Sequence, residues 1–199
     1  MRVLIVCRYK VQYTDQMSPF VLEQAEALIA AGVKVDYFKI QGNYLKNLPL
    51  LKRKIAYFQP DIVHAHYGLS GALAVMQRKT PVVITFHNGE TLSFSANIIA
   101  STASLFARYN IYVAQHIYDL CYFKRKKDYS ILPCGVDVET IVLRDRDDIR
   151  KELGFASKKY YILFGGAFSN LRKNYPLLKE AVELLNRKDI EIIDNFSGG

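Results

Sequence analysis

The chain has 199 residues, of which 50% are hydrophobic and 23% charged, so it can bury a core and is neither disordered nor fibrous. Its net charge of +8 suits an anionic partner, and nucleic acid is not expected because no zinc-finger spacing or RNA-recognition signature is present. The three cysteines, Cys7, Cys121 and Cys134, are irregularly spaced, which favours a reducing cytoplasm over a disulfide framework or a zinc site.

The first 132 residues alternate between apolar strands and amphipathic helices. Strands are predicted at 2–7, 33–40, 62–66, 81–86, 109–114 and 129–132, and helices at 18–32, 45–58, 68–78, 92–107 and 116–126. This alternation predicts parallel βαβ units with right-handed crossovers. Because such sheets bind ligands at the carboxyl ends of their strands, the loops after residues 7, 66, 87 and 132 are expected to carry the site.

The alternation breaks at Pro133 and resumes later. A charged stretch at 144–148 precedes a short helix, and a strand at 160–164, a helix at 174–186 and a strand at 190–193 then follow. We therefore expect an N-terminal domain at 1–140, a linker at 141–158 and the start of a second nucleotide-binding domain at 159–199. A strand–helix–strand of this size cannot cover its own sheet, so it needs the first domain, a longer chain or another copy.

Histidines stand at the ends of two predicted strands. His64 and His66 close the strand in DIVHAHYG, and His87 follows the strand in VVITFHNGE. A histidine between a strand and a helix N-terminus can donate to a hydroxyl or a phosphate. A buried structural role is favoured for His64, whereas His66 is the better ligand candidate. Glu90 is placed to orient His87 or to accept from sugar hydroxyls, and Asn88 lies between them.

Two turns follow later strands. In ILPCGVD at 131–137 the proline and glycine favour a structural turn at a domain boundary over a catalytic loop. In ILFGGA at 162–167 the strand ends in Gly165 and Gly166, and Arg172 and Lys173 precede the next helix. Glycines that let a ligand approach the backbone, beside cations at a helix N-terminus, suit a pyrophosphate. The pattern is neither a dinucleotide-binding fingerprint nor a P-loop.

The order of these motifs resembles glycosyltransferase family 4, whose members have the GT-B fold and transfer sugars with retention of anomeric configuration. The matching segments span most of the chain: SPFVLEQAEAL at 18–28, DIVHAHYG at 61–68, VVITFHNGE at 82–90, ILPCGVD at 131–137 and ILFGGAFSNLRKNYPLLKEAVELL at 162–185. The resemblance implies an α/β protein of GT-B type, with one complete Rossmann-like parallel-sheet domain and a truncated second Rossmann-like unit.

The same resemblance assigns roles to residues. The first domain would bind the acceptor, with His87 contacting the transferred sugar. From their own positions in the sequence, His66, Asn88 and Glu90 are further candidates to bind the acceptor or sugar. The second would bind the nucleotide-sugar, with Lys173 neutralising the departing diphosphate without a metal ion or other cofactor. Arg172, next to Lys173, is a candidate to substitute for the arginine that the family has where Ala167 stands, and Gly166 is a candidate from the glycine turn after the strand.

The sequence departs from the family pattern at several positions. The loop at 8–17 lacks the family's glycine pair, Cys134 replaces an asparagine, and Ala167 stands at the family's arginine position. The paired glutamates of the donor domain do not occur in these 199 residues.

The expected function is therefore a fragment of a hexosyltransferase. It would move a sugar from a UDP- or GDP-sugar to a polysaccharide or lipid-linked acceptor, and would be inactive as truncated. Basic clusters at 46, 52–54 and 124–127 suit peripheral contact with an anionic membrane at its cytoplasmic face, although a solvated basic surface fits them as well. The alternative is a non-catalytic acceptor-binding or assembly module that self-associates. A generic dehydrogenase domain is disfavoured because no G-x-G-x-x-G follows Cys7.

Overall fold

A computed structural model describes residues 1–8, 17–87, 93–139 and 141–194 of the chain. The chain separates into two compact units, Met1–Asp137 and Val138–Gly199. The predicted division of the remainder into a linker and a second domain stays a prediction. The loop after the first strand, and the candidate residues Asn88 and Glu90, lie outside the described residues.

The first unit is built on one parallel sheet. Its strands are β1 (Arg2–Arg8), β2 (Lys34–Ile40), β3 (Ile62–His66), β4 (Val82–Phe86), β5 (Tyr109–Tyr112) and β6 (Tyr129–Ile131). They lie in the order β2-β1-β3-β4-β5-β6, and each neighbouring pair is parallel. The predicted α/β class is confirmed. The chain reverses its direction of progress across the sheet between β1 and β3, and parallel sheets bind ligands at such a switch point.

The helices that connect these strands are close to the predicted ones. They are α1 (Pro19–Ala30), α2 (Leu48–Phe58), α3 (Gly68–Val75), α4 (Phe94–Phe106) and α5 (Gln115–Leu120), and a 3-10 turn at Leu45–Asn47 leads into α2. Pro19 is the first residue of α1. Gly32 follows that helix with a φ of 80°, the left-handed conformation that lets a chain leave a helix sharply.

The prediction of a helix continuing from 116 to 126 is wrong beyond residue 120. Polar side chains of α4 bind the backbone that would have continued it: Asn97 Nδ2 donates to the Leu120 carbonyl at 2.9 Å, and the Tyr122 amide donates to Ser101 Oγ at 3.1 Å. These bonds compete with the intrahelical ladder.

Both faces of the sheet are covered by apolar side chains. Because successive residues of a strand point to opposite faces, Val3, Ile5 and Cys7 of β1 belong to one cluster, together with α1. Leu4 and Val6 belong to the cluster on the other face, to which α2, α3 and α4 contribute. A strand buried on both faces accounts for the continuous apolar run at the start of the sequence.

Helix α3 lies unusually close to its neighbours because it contains two glycines. A Cβ added at Gly68 would lie 2.2 Å from the Ala100 Cβ of α4, and one at Gly71 would lie 2.5 Å from Cδ1 of Ile84 on β4. Neither position can accept a side chain without movement of the helix. This close packing fixes the start of α3 at the carboxyl edge of the sheet.

The second unit contains the predicted strand–helix–strand. Its elements are α6 (Arg146–Glu152), β7 (Tyr160–Phe164), a 3-10 turn (Leu171–Lys173), α7 (Tyr175–Leu184) and β8 (Ile190–Asp194). Strands β7 and β8 form a two-stranded parallel sheet. Several of its apolar side chains are exposed, including Leu163 at 64%, Leu177 at 61% and Leu184 at 87%. Across the described parts of both units, no helix is long and apolar enough to cross a membrane.

Candidate functional site

Three histidines meet at the carboxyl ends of β3 and β4. His64 and His66 are two residues apart on β3 and so share a face of the sheet, with ring centres 4.5 Å apart. His87 directly follows β4, and its Nε2 lies 3.2 Å from Nδ1 of His66. His64 Nε2 lies 2.8 Å from the hydroxyl of Thr85. The structure therefore brings together His66 and His87, two of the predicted site residues.

Two aromatic rings enclose His87. The ring centre of Phe20, on α1, lies 4.6 Å from that of His87, and the ring centre of Tyr67 lies 4.7 Å away. The Tyr67 hydroxyl is 3.5 Å from Ser18 Oγ at the start of α1. Sequence reasoning missed Phe20 and Tyr67 as site residues. Their position in the sequence could have indicated them, because each lies within a motif that resembles the family.

The backbone of Tyr67 is strained where β3 turns into α3. Its φ of 71° and ψ of 143° place a bulky residue in a conformation that L side chains rarely adopt. Such strain costs roughly 1–3 kcal/mol and is typical of functional sites. Neighbouring bonds maintain it, because the Tyr67 amide donates to the Thr85 carbonyl at 2.9 Å and the Gly71 amide donates to the Tyr67 carbonyl at 2.9 Å.

Burial makes all three histidines neutral near pH 7. It lowers the pKa of His87 to about 4. Burial, followed by repulsion from His87, lowers the pKa of His64 to about 4. The pKa of His66 is lowered well below its ordinary value by burial and then by repulsion from the other two rings. A neutral imidazole has one donor and one acceptor nitrogen, so the site offers hydrogen bonds rather than charge.

His66 is almost inaccessible to solvent. It is 1% exposed, compared with 7% for His87. Among the described residues, nothing hydrogen-bonds to its Nε2. Direct contact of His66 with an acceptor or a sugar stays a prediction, as do the sugar contact of His87 and the roles of Asn88 and Glu90.

The predicted phosphate-binding residues lie in the second unit. Gly166 follows β7, and a Cβ added to it would lie 2.9 Å from Cγ of Lys173, so the lysine side chain crosses directly over the glycine backbone. Lys173 is exposed and ends the 3-10 turn before α7, where Asn174 adopts a left-handed φ of 54°. The side chain of Arg172 lies outside the described parts of the structure. An exposed cation beside a helix N-terminus suits an anionic ligand.

In the ranges that the structure describes, no group of three or more histidine, cysteine, aspartate or glutamate side chains is arranged to hold a metal ion.

A family model described as Glycosyltransferase Family 4 matches residues 18–140, a segment that contains His64, His66, His87 and the aromatic rings around them. This chain belongs to glycosyltransferase family 4. The membership confirms the resemblance carried by the sequence motifs.

Curated relatives give the same assignment. The chain is 29% identical over 145 residues to D-inositol 3-phosphate glycosyltransferase 1 of Catenulispora acidiphila, covering 63% of this chain and 34% of that protein. It is 32% identical over 154 residues to D-inositol 3-phosphate glycosyltransferase of Frankia alni, covering 64% and 36%. The chain therefore matches about a third of the length of these relatives.

Solved structures share the fold. Sucrose-phosphate synthase from Thermosynechococcus elongatus matches with a TM-score of 0.79 at 16% identity, over 97% of this chain and 61% of that one. The HepE protein of Anabaena, solved in complex with UDP-glucose, matches with a TM-score of 0.63 at 12% identity, over 98% and 69%. These similarities confirm the predicted GT-B type of fold.

Proposed function

We propose that these residues belong to a hexosyltransferase that moves a sugar from a UDP- or GDP-sugar to a polysaccharide or lipid-linked acceptor, with retention. The observation that carries the proposal is the neutral imidazole of His87, which lies against Phe20 and Tyr67 at the carboxyl edge of a family 4 sheet. A neutral imidazole can hydrogen-bond a sugar hydroxyl, while the aromatic rings can pack against the apolar face of a sugar. Asn88 and Glu90 are assigned further contacts to the sugar or acceptor.

The donor's diphosphate is assigned to the second unit. Lys173 supplies the positive charge, Gly166 has no side chain and so leaves room for the lysine to lie beside the phosphates, and Arg172 is a further cation in the sequence. The HepE structure with UDP-glucose supports a nucleotide-sugar as the donor. In this proposal Lys173 neutralises the departing diphosphate in place of a metal ion.

A titration of the 15N-labelled chain with UDP, monitored by NMR, tests the donor site. We expect binding in the millimolar range, with the largest shifts in the amides of residues 165–175. Lys173→Gln is expected to weaken binding at least fivefold. Lys179→Gln is the matched control, because Lys179 is an exposed lysine of α7 whose ammonium lies 3.8 Å from Glu183. Shifts that avoid residues 165–175, or equal effects of the two variants, contradict the assignment of this site.

We further propose that the 199 residues by themselves do not catalyse transfer. The chain matches about a third of the length of its curated relatives, and the two-stranded sheet of the second unit leaves apolar side chains exposed. A donor site on so small a scaffold is expected to bind weakly. Micromolar affinity for a UDP-sugar in calorimetry, or turnover by this chain, would contradict the proposal.

A non-catalytic module that self-associates is the second candidate function. The exposed Leu163, Leu177 and Leu184 favour it, because isolated sheet edges and apolar faces promote pairing between copies. Sedimentation velocity distinguishes the candidates. A dimer that Leu184→Glu converts to a monomer supports the module, whereas a monomer at all concentrations, with transfer activity in a longer chain, supports the hexosyltransferase.

Contact with an anionic membrane at its cytoplasmic face is proposed for the basic segment 124–127. Tyr122 and Phe123, immediately before it, are 53% and 46% exposed, and aromatic side chains beside lysines are typical of membrane-surface binding. Flotation with phosphatidylglycerol vesicles tests this, with phosphatidylcholine vesicles as the uncharged comparison.

The variant for this test replaces Lys126 and Lys127 with Gln. It is expected to reduce the bound fraction more than replacement of Lys52 and Arg53, which are exposed cations of α2. Equal losses would indicate general attraction to a basic surface, and binding to both vesicle types would rule out recognition of charge.

A further inference from the structure

The rings of His66 and His87 meet edge to edge. Their planes are within 19° of parallel and their centres are 5.5 Å apart. Nδ1 of His66 and Nε2 of His87 are only 3.2 Å apart, which is shorter than the distance between the ring centres by about one ring width. The rings therefore face each other with their edges and are not stacked face to face. The two nitrogens therefore point at each other across a short gap, as the ends of a hydrogen bond do.

Two proton arrangements satisfy this contact when both rings are neutral. In the first, His66 carries its proton on Nδ1 and donates to His87 Nε2, so that the proton of His87 lies on Nδ1. In the second, His87 carries its proton on Nε2 and donates to His66 Nδ1, so that the proton of His66 lies on Nε2. Each neutral imidazole has only one N–H, so choosing the tautomer of one ring fixes the other.

The surroundings of His66 Nε2 distinguish the two arrangements. That atom is buried, and nothing in the described parts of the chain hydrogen-bonds to it. In the second arrangement it would carry an N–H without an acceptor, and buried N–H groups of this kind are rare because they lose their bond to water without replacement. In the first arrangement it is an acceptor nitrogen without a proton. The first arrangement places no N–H on His66 Nε2 and so avoids this cost.

We propose that His66 is a positioning residue that fixes the tautomer of His87, by donating from its Nδ1–H to His87 Nε2 and so confining the proton of His87 to Nδ1. The catalytic meaning of this arrangement rests on the proposed function. His87 is then a neutral ring whose only N–H is at Nδ1, and it cannot act as a general base through Nε2, because that acceptor nitrogen is already occupied by His66.

Long-range 1H–15N correlation spectra of the 15N-histidine-labelled chain at pH 7.5 test the tautomers directly. A protonated ring nitrogen and a bare one have well-separated 15N shifts, and single-histidine variants assign the signals of the four histidines. We expect His66 and His87 both to be protonated at Nδ1 and bare at Nε2. A His87 protonated at Nε2 overturns the proposal, and this result needs no variant of His66 to fold.

Two substitutions of His66 separate donation from packing. In His66→Asn the side-chain amide occupies the place of Nδ1–H and is expected to keep His87 in its Nδ1–H form. In His66→Leu the donor is lost, and His87 is expected to become a mixture of tautomers. His64→Leu is the control, because it removes a buried imidazole bonded to Thr85 and not to His87. An unchanged His87 in His66→Leu, with the native amide spectrum, overturns the proposal.

These outcomes are independent of the transfer reaction. The tautomer of His87 is read from the chain alone, whereas the UDP titration and the Lys173→Gln variant test the proposed donor site in the other unit. If UDP does not bind at residues 165–175 but His87 has the expected tautomer, the donor-site proposal fails and the His66 assignment stands. If UDP binds there but His87 has the opposite tautomer, only the His66 assignment fails.

Discussion

Acidification is expected to destabilise the unit at 1–137, because it buries three neutral histidines. Each has a lower pKa in the folded chain than in the unfolded chain, so the unfolded state binds more protons as the pH falls. The stabilisation is therefore complete above about pH 6.5, the ordinary histidine value. It is lost as the pH falls towards 4, where His64 and His87 also take up protons in the folded state.

The size of the effect follows from these two pKa values. For a histidine with a pKa of about 4 when folded and 6.5 when unfolded, moving from pH 7 to pH 5 costs about 2 kcal/mol. His64 and His87 together contribute about 4 kcal/mol, and the shift of His66 acts in the same direction. A domain is stable by about 5–15 kcal/mol, so this loss is a large share of the total.

Urea unfolding at pH 7 and pH 5, followed by far-UV circular dichroism, measures the loss. His64→Leu removes one linked proton and is expected to reduce the difference between the two pH values by about 2 kcal/mol. His116→Gln is the matched control, because His116 is an exposed histidine of α5 outside the buried cluster. A difference below about 1 kcal/mol in the native sequence, or one that His64→Leu leaves intact, would refute the linkage.

Two further predictions concern packing around the site. Gly68→Ala is expected to lower the free energy of unfolding by about 1–3 kcal/mol, because its methyl group would lie 2.2 Å from the Ala100 Cβ. Gly135→Ala is the control, because its methyl group enters open space and should change the stability little. Urea titration compares the two variants. Asn97→Ala is expected to cost about 1–3 kcal/mol and to speed hydrogen exchange at 120–125, because the Leu120 carbonyl loses its donor. Unchanged exchange there would contradict it.

The sequence predicted the parallel sheet because its signals are local. The run from Val3 to Cys7 is apolar at every position, which is typical of a strand buried on both faces. Ser18 and Pro19 mark the start of α1, and Gly32 marks its end, because proline and glycine restrict or free the backbone at single positions. The alternation of such elements then predicts parallel order without any knowledge of distant contacts.

Local signals failed where a distant segment competes with the backbone. The region after Leu120 has helical periodicity, yet Asn97 and Ser101, about 20 residues earlier, bind its amide and carbonyl groups. The enclosure of His87 by Phe20 and Tyr67 is of the same kind, because it joins three segments that are far apart in the chain. No spacing within one motif encodes such contacts.

The sequence by itself determined the fold class, the family and the positions of the candidate residues at strand ends, because periodicity, turn residues and motif order are properties of neighbours along the chain. The tertiary structure alone decided that His66 is more deeply buried than His87 and that a 3.2 Å contact joins them. It also decided that the backbone of Tyr67 is strained where β3 turns into α3. Burial and hydrogen bonding between strands set the charge and tautomer of an imidazole, and they exist only after β3 and β4 have paired.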